Sequence, residues 1–153
     1  QAGRAGQYSK DATHLIKRAC QTILGALPHI DVFGDDYPTA DGTCVRDYIH
    51  VSDLAQAHVA VLDHIGNGDG NVTMNCGYGH GYSVREGLDV VDQVAAAPMT
   101  GRPAPRRAGD PASLVADSSR IRKTLNWQPK YDDLNVMAAT ALAWEKTLLD
   151  GMN

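Results

Sequence analysis

The hydrophobic and polar positions of this chain repeat with two different periods, and the changes between them mark out its elements. Helical spacing of apolar residues predicts helices over about 14–24, 53–65, 83–97, 117–125 and 133–149. Strict alternation predicts strands over about 30–33, 45–51 and 72–76. Because strands and helices take turns along the chain, the pattern predicts an α/β fold.

Short polar signals predict where several of these helices begin and end. Ser52 has the position of an N-cap for the second helix, with Asp53 in its first turn. Ser83 and Glu86 have the spacing of a capping box for the third. Gly25 follows the first helix, where glycine commonly ends one.

Composition narrows the class of protein without identifying it. The 153 residues are enough for one domain with an apolar core, and 43% of them are hydrophobic. The net charge of -4 argues against nucleic-acid binding, and the uncharged stretches are too short to cross a membrane. Since the chain starts at Gln1 rather than Met, we expect it to be a piece of a longer one.

Cysteine and histidine spacing argues against disulfides and metal sites. The three cysteines form no Cys-x-x-Cys pair, so we expect reduced thiols and a cytoplasmic protein. The six histidines include no pair at His-x-x-x-His spacing, and we predict no metal ligands.

The glycine-rich stretch 77–81 lies between a predicted strand and a predicted helix, where a dinucleotide-binding loop would lie. That fingerprint needs a small residue at position 82, and Tyr82 is there instead. We therefore favour a tight turn over a phosphate-binding loop. A catalytic tyrosine with lysine four residues later is also absent, because none of the six tyrosines has that neighbour.

A cluster of arginines stands out in an otherwise acidic chain. Arg102, Arg106 and Arg107 lie within six residues and are followed by Asp110. Arginine forks match phosphate oxygens, and a carboxylate accepts hydrogen bonds from sugar hydroxyls. A solvated patch with internal Arg–Asp pairs explains the same residues equally well, and composition does not decide between the two. For Arg46, beside Asp47, a structural ion pair is the simple interpretation.

A long block of the sequence, from Phe33 to Ala55, closely resembles the signature of the UDP-glucose 4-epimerase family. Shorter stretches in the same order and spacing support the resemblance, at 12–16, 74–77, 105–111, 115–117 and 125–127. It implies the fold of an extended short-chain dehydrogenase/reductase. It covers only the C-terminal, nucleotide-sugar-binding half of such enzymes. We therefore expect a flexible lead-in over 1–11 and a UDP-sugar-binding domain over 12–153.

The resemblance also implies what this chain does not carry. In such enzymes the N-terminal half holds the glycine-rich NAD loop and the catalytic tyrosine–lysine pair. NAD takes and returns hydride at the sugar C4 while the tyrosine handles the proton. We therefore predict no catalytic residue here and no NAD bound by this chain alone. The implied partners are a UDP-hexose and the N-terminal half; family members are commonly homodimers, but the sequence leaves the oligomeric state open.

Five of the implied substrate contacts lie before residue 34. His14 and Leu15 match the start of the family's first substrate-domain helix, whose backbone amides suit a diphosphate. Asp31, Val32 and Phe33 match the edge strand that holds uracil by backbone hydrogen bonds and a ring face.

The other four implied contacts are spread over the rest of the chain. Arg46 and Arg107 match two arginines that bind the diphosphate, and Asp110 matches the carboxylate on the ribose hydroxyls. Leu114 matches a position that limits the size of the sugar. Because leucine is intermediate in size, the choice between UDP-glucose and UDP-N-acetylglucosamine stays open.

The sequence departs from the family pattern at two places, and other functions remain in view. Lys17 replaces a frequent proline, and residues 100–103 contain the glycine and proline that make the family's strand doubtful here. The competing hypotheses are a non-catalytic UDP-sugar-binding module, part of a related nucleotide-sugar dehydratase, and a marginally folded remnant.

We predict that the purified chain alone does not interconvert UDP-galactose and UDP-glucose, because its sequence contains neither the glycine-rich loop nor the tyrosine–lysine pair. A coupled assay for UDP-glucose formation checks this, with a complete epimerase as the positive control. Turnover by the isolated chain would contradict the prediction.

Overall fold

Five helices and five short strands make up the regular structure of residues 5–9 and 12–151, the part of the chain described by our computed structural model. In chain order they are α1 (Leu15–Ile23), β1 (Ile30–Phe33), β2 (Val45–Arg46), α2 (Val51–Gly66), β3 (Tyr82–Ser83), α3 (Val84–Ala95), β4 (Gly101–Ala104), β5 (Ser113–Leu114), α4 (Ser119–Leu125) and α5 (Leu134–Asp150). The mixed α/β class predicted from the sequence is confirmed.

The strands form two small sheets. Strand β1 pairs in parallel with β4, from Ile30 opposite Gly101 to Phe33 opposite Ala104. Strand β2 lies between an antiparallel β3 and a parallel β5. The second sheet brings three distant parts of the chain together beside Arg46, which is opposite Leu114.

Strand β4 forms although its glycine and proline made it doubtful. The Ile30 and Gly34 amides donate to the carbonyls of Thr100 and Ala104, at 2.9 and 2.8 Å. In a parallel pair, alternate residues turn their backbone groups toward the neighbouring strand. In this register Thr100 and Ala104 face β1, whereas Pro103 faces away, so its missing N–H costs no hydrogen bond to β1. The doubt was therefore wrong, because an edge strand tolerates proline at such a position.

The main core lies between α1, α3 and α5. Small side chains allow the helices to approach closely: Ala19 and Cys20 of α1 and Ala138 of α5 are at most 1% exposed. Val91 of α3 fills the space between them and is fully buried. The predicted capping box starts α3, since the Ser83 hydroxyl accepts from the Glu86 amide and the Glu86 carboxylate accepts from the Ser83 amide.

Helix α2 begins two residues earlier than the sequence suggested, and its cap is a histidine. His50 is the N-cap, and its Nδ1 accepts the Ser52 amide at 3.0 Å. The prediction of Ser52 as the cap was wrong, because the buried imidazole supplies the acceptor first and draws Val51 and Ser52 into the first turn.

Of two strands predicted from alternation, one is shorter than its pattern and the other is absent from the described structure. The strand at 45–51 ends after Arg46, since the chain turns into α2 at Val51. The strand at 72–76 does not form in the described structure, where the run 71–76 makes no backbone–backbone hydrogen bond. Alternation shows which side chains are buried, but a strand also needs a neighbour to pair with.

A buried ion pair joins α1 to α5. Lys17 and Glu145 are each 6% exposed, and the lysine Nζ lies 2.5 Å from Oε1 of the carboxylate. Gln21 donates to the second oxygen, Oε2, at 3.2 Å. The departure from the family's proline at position 17 therefore introduces a charge that the fold neutralises across two helices.

Part of the predicted lead-in lies outside the described residues, namely 1–4, 10 and 11. In the part of the lead-in that is described, residues 5–9, the Gln7 carbonyl accepts a 2.9 Å hydrogen bond from the indole of Trp144 on α5. Among the helices that the structure describes, none has both the length and the apolar character needed to cross a membrane.

Replacing Glu145 with leucine is expected to lower the free energy of unfolding by about 3–5 kcal/mol, because it leaves the Lys17 ammonium buried without a counter-charge. The double change Lys17→Met and Glu145→Leu should recover most of this loss, since no charge then remains in the core. Urea unfolding measures both effects. The exposed neighbour Lys146→Ala is the control, expected to stay within about 0.5 kcal/mol of the parent. A double variant as unstable as Glu145→Leu would contradict this account.

Candidate nucleotide-sugar site

An open groove of about 1120 Å³ runs between the start of α1, strands β1 and β2, the loop after β4, and α5. Seven of the nine residues that the sequence suggested as substrate contacts line it. They are His14, Leu15, Asp31, Phe33, Arg46, Arg107 and Asp110. The fold thus brings residues up to 96 positions apart in the chain to one surface.

Arg46 is held in place at the edge of the groove by main-chain carbonyls. Its Nη1 donates to the carbonyls of Val45 and Pro111, at 2.8 and 2.9 Å. Its Nη2 lies 3.4 Å from Oδ1 of Asp110, so the two charges are paired only loosely. The suggested pairing of Arg46 with its neighbour Asp47 is not what the structure contains, because Asp47 bonds to backbone amides instead.

Arg107 projects its charge into the groove without a carboxylate partner among the described residues. Its guanidinium carbon lies 3.8 Å from the centroid of the Phe33 ring. The ring face attracts the cation and orients it, but leaves its charge unneutralised. An arginine held in this way is suited to binding an anion.

The other two arginines of the cluster are engaged elsewhere. Arg102 pairs with Asp31 at 3.0 Å, and Arg106 pairs with Asp36 at 2.6 Å. The hydrogen bond from Arg106 lowers the pKa of the Asp36 carboxyl below its usual value. Two arginines of the cluster are therefore paired with carboxylates outside it, and Arg107 stays the candidate phosphate ligand that the sequence suggested.

The remaining predicted contacts differ in how they face the groove. His14 is the N-cap residue of α1, with its Nδ1 2.5 Å from the Gln7 side-chain amide. Val32 packs partly against the main core, and Leu114 is 60% exposed on β5; neither lines the groove. The structure thus separates these two from the other seven.

Two aspartates of the signature block have a structural role that sequence reasoning missed. Asp47 accepts the amides of Tyr78 and Gly79, each at 3.0 Å, and that of Ala116 at 3.3 Å. Fully buried Asp53 accepts the Tyr78 hydroxyl and two backbone amides at 2.8–2.9 Å. In the sequence, the one indication of a special role was that both aspartates lie inside the Phe33–Ala55 block.

This use of Asp47 also settles the role of the glycine-rich stretch. A Cβ on Gly77 would lie 2.5 Å from the Asp47 carboxylate, so only glycine fits there. Because the loop amides already hold the protein's own carboxylate, they are not free to cradle a phosphate. The favoured interpretation of a tight turn agrees with this geometry.

Tyr48 and His50 add polar groups to the groove wall that the sequence did not single out. Burial raises the pKa of Tyr48 to about 12, although nearby Arg46 acts in the opposite direction. Tyr48 therefore keeps its proton at neutral pH. Burial lowers the pKa of His50, although Asp53 opposes the shift.

Comparison with known proteins agrees with this geometry. The family model described as NAD dependent epimerase/dehydratase matches residues 2–77. A UDP-glucose 4-epimerase of Azospirillum brasilense is 53% identical over 96% of this chain. The chain belongs to the NAD dependent epimerase/dehydratase family. It spans 42% of the length of that relative, so it corresponds to less than half of a curated family member.

Solved structures of the family have the same fold. The UDP-glucose 4-epimerase of Stenotrophomonas maltophila, with bound NAD and formylated UDP-arabinopyranose, superposes with a TM-score of 0.89 at 36% identity. The match covers 96% of this chain and 44% of that one. The UDP-Glc/GlcNAc 4-epimerase of Campylobacter jejuni gives a TM-score of 0.78 at 46% identity, covering 93% and 43%.

The glycine-rich loop at 77–81 uses its Tyr78 and Gly79 amides to bind Asp47, so this loop lacks the free amides of a dinucleotide-binding turn.

We expect acid to destabilise the chain through His50. Its Nδ1 accepts the Ser52 amide and its Nε2 bonds to Thr140 at 3.1 Å, so the folded state holds the ring neutral. Because the folded pKa lies below the unfolded value of about 6.5, stability is complete above that pH and falls as the pH decreases toward the folded pKa. The slope reaches at most about 1.4 kcal/mol per pH unit.

Thermal or urea unfolding from pH 7.5 to 5 measures this slope. His50→Asn keeps a side-chain cap acceptor but does not titrate, so its stability should depend less on pH. His58→Asn, on the exposed side of the same helix, is the control and should leave the slope unchanged. Equal slopes for the parent and His50→Asn would contradict the expectation.

Proposed function

We propose that this chain is the nucleotide-sugar-binding portion of a UDP-glucose 4-epimerase, which interconverts UDP-glucose and UDP-galactose in galactose and nucleotide-sugar metabolism. The observation that carries the proposal is the unpaired Arg107 guanidinium, stacked on Phe33 in a groove that Arg46 and Asp110 also line. A cation, an aromatic face and a carboxylate in one groove match the phosphate, base and ribose of a nucleotide.

In this proposal the first elements of the chain hold the uridine. Phe33 offers a ring face to uracil, and the backbone of Asp31 and Val32 hydrogen-bonds to the base edge. Strand β1 pairs with β4 on one side only within the described structure, which leaves its other edge for such bonds. His14 and Leu15, at the start of α1, face the diphosphate with the positive end of the helix.

Arg46 and Arg107 bind the diphosphate, and Asp110 accepts hydrogen bonds from the ribose hydroxyls. The loose 3.4 Å contact between Arg46 and Asp110 supports this division, since each group keeps free hydrogen-bonding capacity. These remote contacts anchor the nucleotide while the sugar turns over between its two orientations. Their binding energy positions the reacting carbon without touching it.

In this proposal Leu114 limits the size of the sugar. In the structure described here it lies beside the groove rather than in its lining. UDP-glucose and UDP-N-acetylglucosamine both stay candidate substrates. The name of the Campylobacter jejuni relative includes both sugars.

The chemical step itself belongs to groups that the described residues do not supply. In the complete protein, NAD would take and return hydride, bound by the portion that this chain does not match. In this proposal the contribution of this chain is to bind and orient the nucleotide sugar. We further propose a cytoplasmic protein, which its three unpaired cysteines support, and a homodimer in the complete enzyme.

Two other functions use the same groove. A module that binds UDP-sugars without any redox partner needs only the groove residues. A related nucleotide-sugar dehydratase needs a different chemical step and a site for its own nucleotide. The epimerase of Azospirillum brasilense, at 53% identity, favours the first proposal over the dehydratase.

Replacing Arg107 with alanine is expected to weaken UDP binding by about tenfold to a hundredfold, because a hydrogen bond to a charged group contributes about 1.5–3 kcal/mol. Isothermal titration calorimetry with UDP, and with GDP for comparison, measures the effect. The parent should prefer UDP.

The matched control is Arg106→Ala, which removes the adjacent arginine. That side chain is paired with Asp36 and lies outside the groove lining, so UDP affinity should change by less than about twofold. Equal losses in the two variants, or no detectable UDP binding by the parent at millimolar concentration, would contradict the proposed site. A preference for GDP would contradict the epimerase assignment.

A further inference from the structure

Gln7 is the one half-buried residue of the otherwise exposed segment 5–9, and both its main chain and its side chain are engaged. Its carbonyl accepts the Trp144 indole N–H at 2.9 Å and lies 3.5 Å from the Lys17 ammonium. Its side-chain amide nitrogen lies 2.5 Å from Nδ1 of His14. The carbonyl is therefore anchored to α5, and the carboxamide is directed at the start of α1.

Two histidines of this chain are N-cap residues with nearly the same backbone conformation. His14 has φ -66° and ψ 131°, and His50 has φ -68° and ψ 134°. Nδ1 of His50 accepts the amide two residues later and so caps α2. No side chain caps α1 in the described structure, where Nδ1 of His14 meets Gln7 instead. The backbone permits the same cap at both places, but only one of the two rings makes it.

The contact with Gln7 also determines what the His14 ring offers to a ligand. An amide NH2 group can only donate, so the imidazole nitrogen that meets it accepts and carries no proton. The proton of the neutral ring is then on Nε2, to which no described residue bonds. His14 lines the same groove as Arg46 and the unpaired Arg107. The neutral ring is thus a free hydrogen-bond donor on the wall of an anion-binding groove.

We propose that Gln7 is a positioning residue for nucleotide-sugar binding. It holds the His14 ring away from the end of α1, so that Nε2–H donates to a diphosphate oxygen and the first amides of the helix stay open to the same group. Without the carboxamide, the ring turns to cap α1 as His50 caps α2, and it accepts the amide of Ile16. This role rests on the proposed function, because that function supplies the diphosphate.

The chain without nucleotide tests the position of the ring. Gln7→Ala removes the carboxamide but leaves the backbone carbonyl to Trp144. Hydrogen exchange of the Ile16 amide, measured by NMR, should slow by about threefold or more in this variant, because Nδ1 of His14 then accepts it. Loss of a merely structural contact would speed this exchange, so the direction of the change separates the two roles. Adding His14→Ala to Gln7→Ala should abolish the slowing.

UDP binding tests the consequence for the ligand. Isothermal titration calorimetry should show UDP affinity about threefold to tenfold weaker in Gln7→Ala, as expected for the loss of neutral hydrogen bonds. In the His14→Ala background the same change should have an effect of less than about twofold, since the ring through which Gln7 acts is gone. Trp144→Phe removes the indole N–H that holds the Gln7 carbonyl and should weaken UDP binding in the same direction.

The matched control is Tyr8→Ala, which changes the next residue of the same segment. The Tyr8 side chain is exposed and lies outside the groove lining, so UDP affinity and Ile16 exchange should both stay within about twofold of the parent.

Unchanged or faster exchange at Ile16 in Gln7→Ala would overturn the inference, as would equal effects of Gln7→Ala and Tyr8→Ala. If Arg107→Ala weakens UDP binding and Gln7→Ala does not, the positioning role is overturned and the proposed function stands. A parent chain that binds no UDP would contradict the proposed function, and with it the diphosphate as the ligand of His14. The exchange measurement uses no nucleotide, so it distinguishes that failure from a failure of Gln7 to hold the ring.

Discussion

The arrangement of the groove depends on two carboxylates that bind backbone rather than substrate. Asp47 and Asp53 together accept hydrogen bonds from three separate loops, and both reach Tyr78, one through its amide and the other through its hydroxyl. Buried carboxylates are tolerated only when their oxygens are satisfied in this way. Because Asp47 accepts these amides, it does not pair with its neighbour Arg46, whose Nη1 donates to two carbonyls and whose Nη2 lies 3.4 Å from Oδ1 of Asp110.

Three arginines of identical chemistry acquire different functions from their neighbours. Asp31 and Asp36 neutralise Arg102 and Arg106, while Arg107 meets an aromatic face. An ion pair at the surface contributes little to stability but determines which charges remain for a ligand. The paired arginines thus tie the loop to Asp31 and Asp36, and Arg107 is the arginine whose charge stays available to a ligand.

The molecule combines one well-packed core with one face that has no cover. The core between α1, α3 and α5 is close-packed and carries its own charge pair, whereas α2 exposes apolar side chains beside an unpaired extended run. The groove and the exposed face of α2 meet at Val51, which belongs to both.

The existence of the helices and the cap of α3 were determined by the sequence itself, because these hydrogen bonds join residues three or four apart, whereas the cap of α2 is His50 rather than the predicted Ser52. The capping box of Ser83 and Glu86 and the period of α1, α3 and α5 were therefore readable in advance, and the signature block indicated most of the groove residues. Alternation located β1 at 30–33, but the other strands and the pairing of charges were decided by tertiary structure. Residues 101–104 became a strand because β1 lies beside them, and residues 72–76 did not because nothing described does. Which of the three arginines lacks a carboxylate partner also depends on residues far away in the chain, such as Asp31 and Asp36. The sequence around the arginines does not show where those residues lie.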